Sequence, residues 1–83
     1  LLVYSIYDEK IQCYNMLLTY QTKGEAIRQF ESDVNNAATG NLHKYAQDFT
    51  LYEVGTFDKT TGMLEKHVEP INIIKANELL RQE

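Results

Sequence analysis

The clearest periodic signal in these 83 residues is helical. Ile27, Phe30, Val34 and Ala37 recur at steps of three, four and three, which is one face of a helix. Glu25, Arg28, Gln29, Glu31, Ser32, Asp33 and Asn36 fill the other faces. Thr22 followed three residues later by Glu25 matches a capping box, in which each side chain satisfies a backbone N–H of the first turn. The pattern predicts a helix from Lys23 to about Ala38, closed by Gly40 as the left-handed residue. A chain with one such helix must draw the rest of its core from strands.

Leu1 to Tyr7 reads as a strand, ended by the polar run Asp8-Glu9-Lys10. Both of its alternating faces are apolar, which suits a central strand covered on two sides. The second half of Ile11 to Gln21 is expected to be another strand. Asn41 to Asp48 is a loop with room for one helical turn. Phe49 to Phe57 and Met63 to Val68 read as a hairpin around the turn Asp58-Lys59-Thr60-Thr61-Gly62. Pro70 interrupts the sheet or sits at its edge, and Ile71 to Ile74 is a short extended segment. Lys75 to Gln82 predicts a short C-terminal helix with Ala76, Leu79 and Leu80 facing inward.

The expected fold is one α+β domain over residues 1–83, a β-β-α-β-β sheet packed on one long amphipathic helix. One helix cannot cover both faces of four strands, so an apolar face is left for a homodimer.

Few chemistries are offered. His43 and His67 lack the three or four convergent ligands of a metal site. Glu65 and His67 fall on one strand face and suggest a pair. The Asp58 to Gly62 run has only the first half of a calcium loop and is better read as a turn. Cys13 lies among apolar residues without a neighbouring base, as a small buried hydrophobe would. No glycine-rich phosphate loop or nucleophile elbow appears. The expectation is a non-enzyme with no cofactor and no metal. No apolar run reaches the ~18 residues that would cross a membrane, and no basic-then-apolar leader opens the chain.

Six tyrosines, three phenylalanines and no tryptophan are the main compositional signal. Tyr4, Tyr7, Tyr14, Tyr20, Tyr45 and Tyr52 mostly lie on or beside the expected strands. A sheet bearing aromatic rings near cations can stack unpaired bases. Tyrosine is also an ordinary strand residue that half-buries its ring. The charge balance is unfavourable to polyanions: eight Lys and Arg against twelve Asp and Glu, net −4, with the basic residues scattered.

Three segments resemble the small nonstructural protein of gokushoviruses, microvirus bacteriophages with single-stranded circular DNA. They are Tyr4-Ser5-Ile6-Tyr7-Asp8-Glu9-Lys10, Ala26-Ile27-Arg28-Gln29-Phe30, and the run from Asp48 to Gly62 that ends in a threonine-glycine turn. Pro70 also stands where that family tends to place a proline. The likeness departs at Leu17-Leu18-Thr19, where family members often carry a proline. The resemblance implies a nonstructural phage protein of the host bacterial cytoplasm that binds DNA during viral DNA replication, when synthesis switches to single strands. It brings no catalytic residues.

Two readings follow. One is a single-stranded-DNA-binding protein using Tyr7 and Tyr52 for stacking and Lys10, Arg28, Lys44, Lys59 and Lys66 for phosphate. The other is a protein-interaction module, a homodimer or an adaptor to a phage or host replication protein.

Overall fold

The computed structural model describes residues 1–81. Strands β1 (Leu2–Asp8), β2 (Cys13–Tyr14) and β3 (Leu18–Tyr20) are followed by helices α1 (Lys23–Val34) and α2 (Asn41–Lys44), and then by strands β4 (Phe49–Phe57) and β5 (Leu64–Lys75). Single 3-10 turns occupy Ala37–Thr39, Ala46–Asp48 and Ala76–Glu78. All pairing is antiparallel, in the order β2-β1-β4-β5, with β3 on the same edge of β1 as β2. This is a mixed α+β architecture with one sheet and one helical layer.

β1 is central because it can be. Val3, Tyr4, Ser5 and Ile6 are all buried, so its middle is covered on both faces, as its doubly apolar pattern requires. On the helix side, Tyr4, Ile6 and Leu51 pack with Ala26, Phe30, Val34, Ala46 and Ala76. α1 begins where expected: Thr22 Oγ1 accepts the Glu25 N–H at 3.1 Å. It presents Ala26, Phe30 and Val34 inward, a stripe of i, i+4, i+8, with Ile27 only half-buried at its border.

Four boundaries differ from the sequence reading. α1 stops at Val34, not near Ala38. The Asn35 backbone N–H already bonds back to Glu31 O and its amide reaches Glu31 O and Leu79 O, which ties off the last turn. Gly40 is left-handed (φ 68°) but closes the Ala37–Thr39 turn instead, and Ala37 is exposed. The second strand is split: Tyr7 pairs with Tyr14 and Tyr4 with Leu18, so one extra residue bulges between them, held by Ser5 Oγ donating to Asn15 O at 2.8 Å. The order is therefore β-β-β-α-α-β-β instead of β-β-α-β-β.

The two expected segments after Gly62 are one 12-residue strand, β5. Pro70 does not end it, because β5 is the sheet edge and bows outward there. Glu53 pairs with Ile71 and Gly55 with Lys66, so residues 67–70 stand opposite Val54 alone. Gly55 permits the close approach on the other side of that bow, since a Cβ would collide with the carbonyl of Glu65. The C-terminal helix reduces to the Ala76–Glu78 turn: Ala76 is buried, Leu79 half-buried and Leu80 exposed, while Gln82 lies outside the described residues.

Where the β4–β5 ladder is lost, side chains take over. Tyr4, fully buried, donates its hydroxyl to Glu53 Oε1 at 3.0 Å, and Glu53 Oε2 meets His67 Nε2 at 2.7 Å. The partner of His67 is therefore Glu53 across the sheet, not Glu65 along the strand. Burial, then the hydrogen bond and charge of Glu53, push the Tyr4 phenol up to about 12.

Phe30→Ala should destabilise the domain by roughly 3–5 kcal/mol, because it empties the centre of the interlayer core. A denaturation midpoint close to wild type would contradict the packing described. The phenol of Tyr4 gives a pH window. An unfolded tyrosine loses its proton near 10 while folded Tyr4 keeps it to about 12, so its stabilisation is complete below pH 10 and is lost as pH rises from 10 to 12. Tyr14 and Tyr20 are shifted in the same direction, so Tyr4→Phe should reduce the alkaline loss without abolishing it. Urea midpoints measured across that window would show it; an alkaline slope identical to wild type would place the titrating group elsewhere.

Candidate nucleic-acid interface

Residues directly opposite each other in an antiparallel ladder share a face. The pairings therefore sort the sheet into two surfaces. Asp8, Phe49, Ile6, Leu51, Ile74, Tyr4, Glu53, Ile71, Leu2, Thr56 and Glu65 fall on the side that carries the helices. Among the described residues, no helix lies on the opposite side. Across it run three rows: Tyr14–Tyr7–Thr50–Lys75, Ser5–Tyr52–Asn72, and Thr19–Val3–Gly55–Lys66.

Three tyrosines meet on this bare side. The rings of Tyr7 and Tyr14 have centroids 4.7 Å apart, Tyr14 and Tyr52 are 5.6 Å apart, and Tyr7 and Tyr52 are 6.2 Å apart. Steep interplanar angles of 54° to 84° make the contacts tilted or edge-on, the arrangement that ring quadrupoles favour. Tyr14 is the outermost ring, 45% exposed, with Tyr7 and Tyr52 half-buried beside it. Its phenol is held above the ordinary value by desolvation, then by the neighbouring hydroxyls of Tyr52 and Tyr7. Tyr14 therefore keeps its proton across the physiological range and presents an uncharged ring.

Charge is sorted by the same pairings, including the register shifts in β4 and β5. The carboxylates at ladder positions, Asp8, Glu53 and Glu65, lie on the helix side, while the ladder lysines, Lys66 and Lys75, lie on the bare side. A domain with net charge −4 thus carries a sheet face whose paired positions hold two cations and no anion. At the far end of this face is a shallow hollow of about 150 Å³, where Val3, Leu17, Val54 and Leu64 supply apolar walls and Glu65 and Lys66 both line the rim.

Of the residues expected to bind DNA, the structure brings together Tyr7 and Tyr52 and places Lys66 on the same face. Arg28 is elsewhere: it is exposed on α1, in the layer on the other side of the sheet. Lys44 is also in that layer, with its Nζ 5.3 Å from the Tyr45 ring centroid. Lys10 lines a hollow with Ile11, Tyr45, Asp48 and Phe49 on the helix side. Lys59 lies in the β4–β5 turn, at the opposite end of the sheet from the Tyr7–Tyr14 row. Sequence reasoning missed Tyr14, Asn72 and Lys75. The first was detectable: a tight turn at Glu9–Gln12 sets Tyr7 opposite Tyr14. The others depend on the bow at residues 67–70, which has no local signature.

Other candidate chemistries disperse. Cys13 is exposed, not buried, because it lies on the short edge strand β2. His43 Nδ1 is 2.8 Å from Val34 O, a structural contact between α2 and the end of α1. Asp58 Oδ1 accepts the backbone N–H groups of Thr60 and Thr61, and Gly62 takes φ 76°, so Asp58 to Gly62 is a hydrogen-bonded turn. Among the described residues, no group of three or more His, Cys, Asp and Glu side chains converges, and no helix is long and apolar enough to cross a membrane.

Comparison with known proteins sets this geometry in a lineage. Protein ORF5 of Chlamydia phage 1 is 40% identical over 62 residues, which is 71% of this chain and 65% of that protein. The chain thus spans just under two thirds of that relative's length. No solved structure matches. The family described as Phage ORF5 protein matches residues 1–79, nearly the whole chain. The chain belongs to the Phage ORF5 protein family.

Proposed function

We propose that this phage protein is a non-catalytic single-stranded-DNA-binding protein that uses the bare face of its sheet. The reading takes in its resemblance to the small nonstructural proteins of gokushoviruses. Its place would be the host cytoplasm, during viral genome replication or the switch to single-strand synthesis. One observation carries it: three clustered tyrosine rings share a face with two lysines, and the ladder carboxylates point the other way. Bases offer flat faces whatever their sequence, so ring stacking supplies affinity without sequence readout. The ladder pairings separate two lysines from three carboxylates, which lessens the repulsion that a net charge of −4 presents to DNA.

A second reading is favoured by β5. Among the described residues no strand pairs with its outer edge, and Leu64, Val68 and Ile71 are exposed along it, Val68 completely, with Met63 exposed just before it. An unpaired edge strand is a template for another strand, although the charges, Pro70 and bow of β5 confine that to the stretches on either side of the bow. Pairing with a second copy would make the protein a homodimer; a strand of a phage or host replication protein would make it an adaptor. Light scattering that returns 9.6 kDa at every concentration would reject the homodimer.

Fluorescence anisotropy with a labelled single-stranded oligonucleotide tests the DNA reading. Tyr52→Ala and Tyr14→Ala should each weaken binding by roughly 1–3 kcal/mol with little change in salt dependence. Lys66→Ala should make the slope of log K against log salt shallower by about 0.7. Arg28→Ala should do neither, because it lies in the helical layer. A folded wild type that binds no single strand at low salt would overturn the proposal and leave the protein-interaction reading.

A further inference from the structure

The row Tyr14–Tyr7–Thr50–Lys75 ends in a cation that is already occupied. Lys75 is the last residue of β5, and its Nζ lies 3.6 Å from Glu9 Oε1. Glu9 follows directly on the end of β1, and its backbone N–H is fixed to Asp48 O at 2.9 Å. β5 and β1 are separated by β4, two strand spacings of about 4.8 Å each. For the pair to form, the lysine stem must lie back across β4 toward the end of β1, beside the residue that carries the Tyr7 ring. Thr50 supports this path: it sits between Tyr7 and Lys75 in the row, on the face without helices, yet is only 4% exposed.

We infer that Lys75 is the phosphate seat of the tyrosine face, and that Glu9 occupies it as a built-in competitor. This rests on the single-stranded-DNA reading and deepens it. A carboxylate and a phosphodiester oxygen offer an ammonium the same charge-assisted contact, so Glu9 stands where a backbone phosphate would stand. A strand whose base stacks on the Tyr14 and Tyr7 end of the row carries its phosphate toward the Lys75 head. The pair can be exchanged, because both side chains are substantially solvated, 41% and 52% exposed, and an exposed ion pair is weak. Binding is then an exchange of one anion for another at a single lysine.

The test is a two-by-two set of variants, Glu9→Gln, Lys75→Ala and the double substitution. Binding is read by anisotropy with a fluorescein-labelled oligothymidine of about 12 nucleotides, within the usual site-size range. Both side chains are substantially solvated, Glu9 just past β1 and Lys75 at the end of β5, and thermal melts serve to check that each variant stays folded. Glu9→Gln should tighten binding about two- to five-fold, the range set by an exposed ion pair. Lys75→Ala should weaken binding and make the salt slope shallower by about 0.7. In the Lys75→Ala background, Glu9→Gln should have no further effect. Equal tightening with and without Lys75 would reduce Glu9 to a diffuse repulsive charge and overturn the inference. So would wild-type binding that Glu9→Gln leaves unchanged, with the DNA reading intact. Absence of binding by both wild type and Glu9→Gln would remove the DNA reading and this inference together.

Discussion

Burying a tyrosine completely requires an acceptor for its hydroxyl, and in this domain that requirement ties three strands together. Tyr4 fills the middle of the interlayer core, against the helical residues headed by Phe30, and cannot leave its phenol unpaired there without a desolvation penalty. Glu53 accepts it, and the second oxygen of the same carboxylate reaches His67. β1, β4 and β5 are thereby joined at the level where β5 bows away and backbone pairing is lost. The core residue that holds the helices to the sheet is also the one that holds the edge strand in place.

The consequence reaches the other face. Side chains alternate along a strand, so once Tyr4 and Ile6 are committed to the helices, Ser5 and Tyr7 must point away from them. The same holds on β4, where Leu51 and Glu53 face the core and Tyr52 does not. The tyrosine cluster is the obligatory outer half of the pattern that builds the core. One short helical layer cannot wrap around the sheet, so the cluster stays at the surface. The ladder pairings put the carboxylates Asp8, Glu53 and Glu65 on the helix side and the lysines opposite, with the irregularities in β4 and β5 shifting the parity between them.

Much of this could be read from the residues. The capped start of α1, the hairpin turn at Asp58 to Gly62 and the centrality of β1 all rest on short-range rules that sequence records directly. The end of α1 could not be read the same way. Its apolar period continues to Ala37, but the Asn35 amide captures Leu79 O from the far end of the chain, a contact no local pattern contains. The unity of β5 was hidden for a similar reason: Pro70 is a strand breaker unless the strand is an edge, and edge status is a property of the whole sheet. Within the candidate site, Tyr7 and Tyr52 were recognisable as strand aromatics. Arg28 lies away from the tyrosine face because a sequence gives a residue's position on its helix, not the side of the sheet on which the helix packs. Cys13 is exposed, not buried, for the same reason: its apolar neighbours do not reveal that β2 is a two-residue edge strand.

Whether DNA meets the face without helices is tested by backbone amide chemical-shift mapping with a short single-stranded oligonucleotide. Perturbations should gather on Tyr7, Tyr14, Tyr52, Asn72, Lys66 and Lys75, with α1 unperturbed. Perturbations centred on Arg28 and its neighbours on α1, or none at any strand concentration, would contradict it.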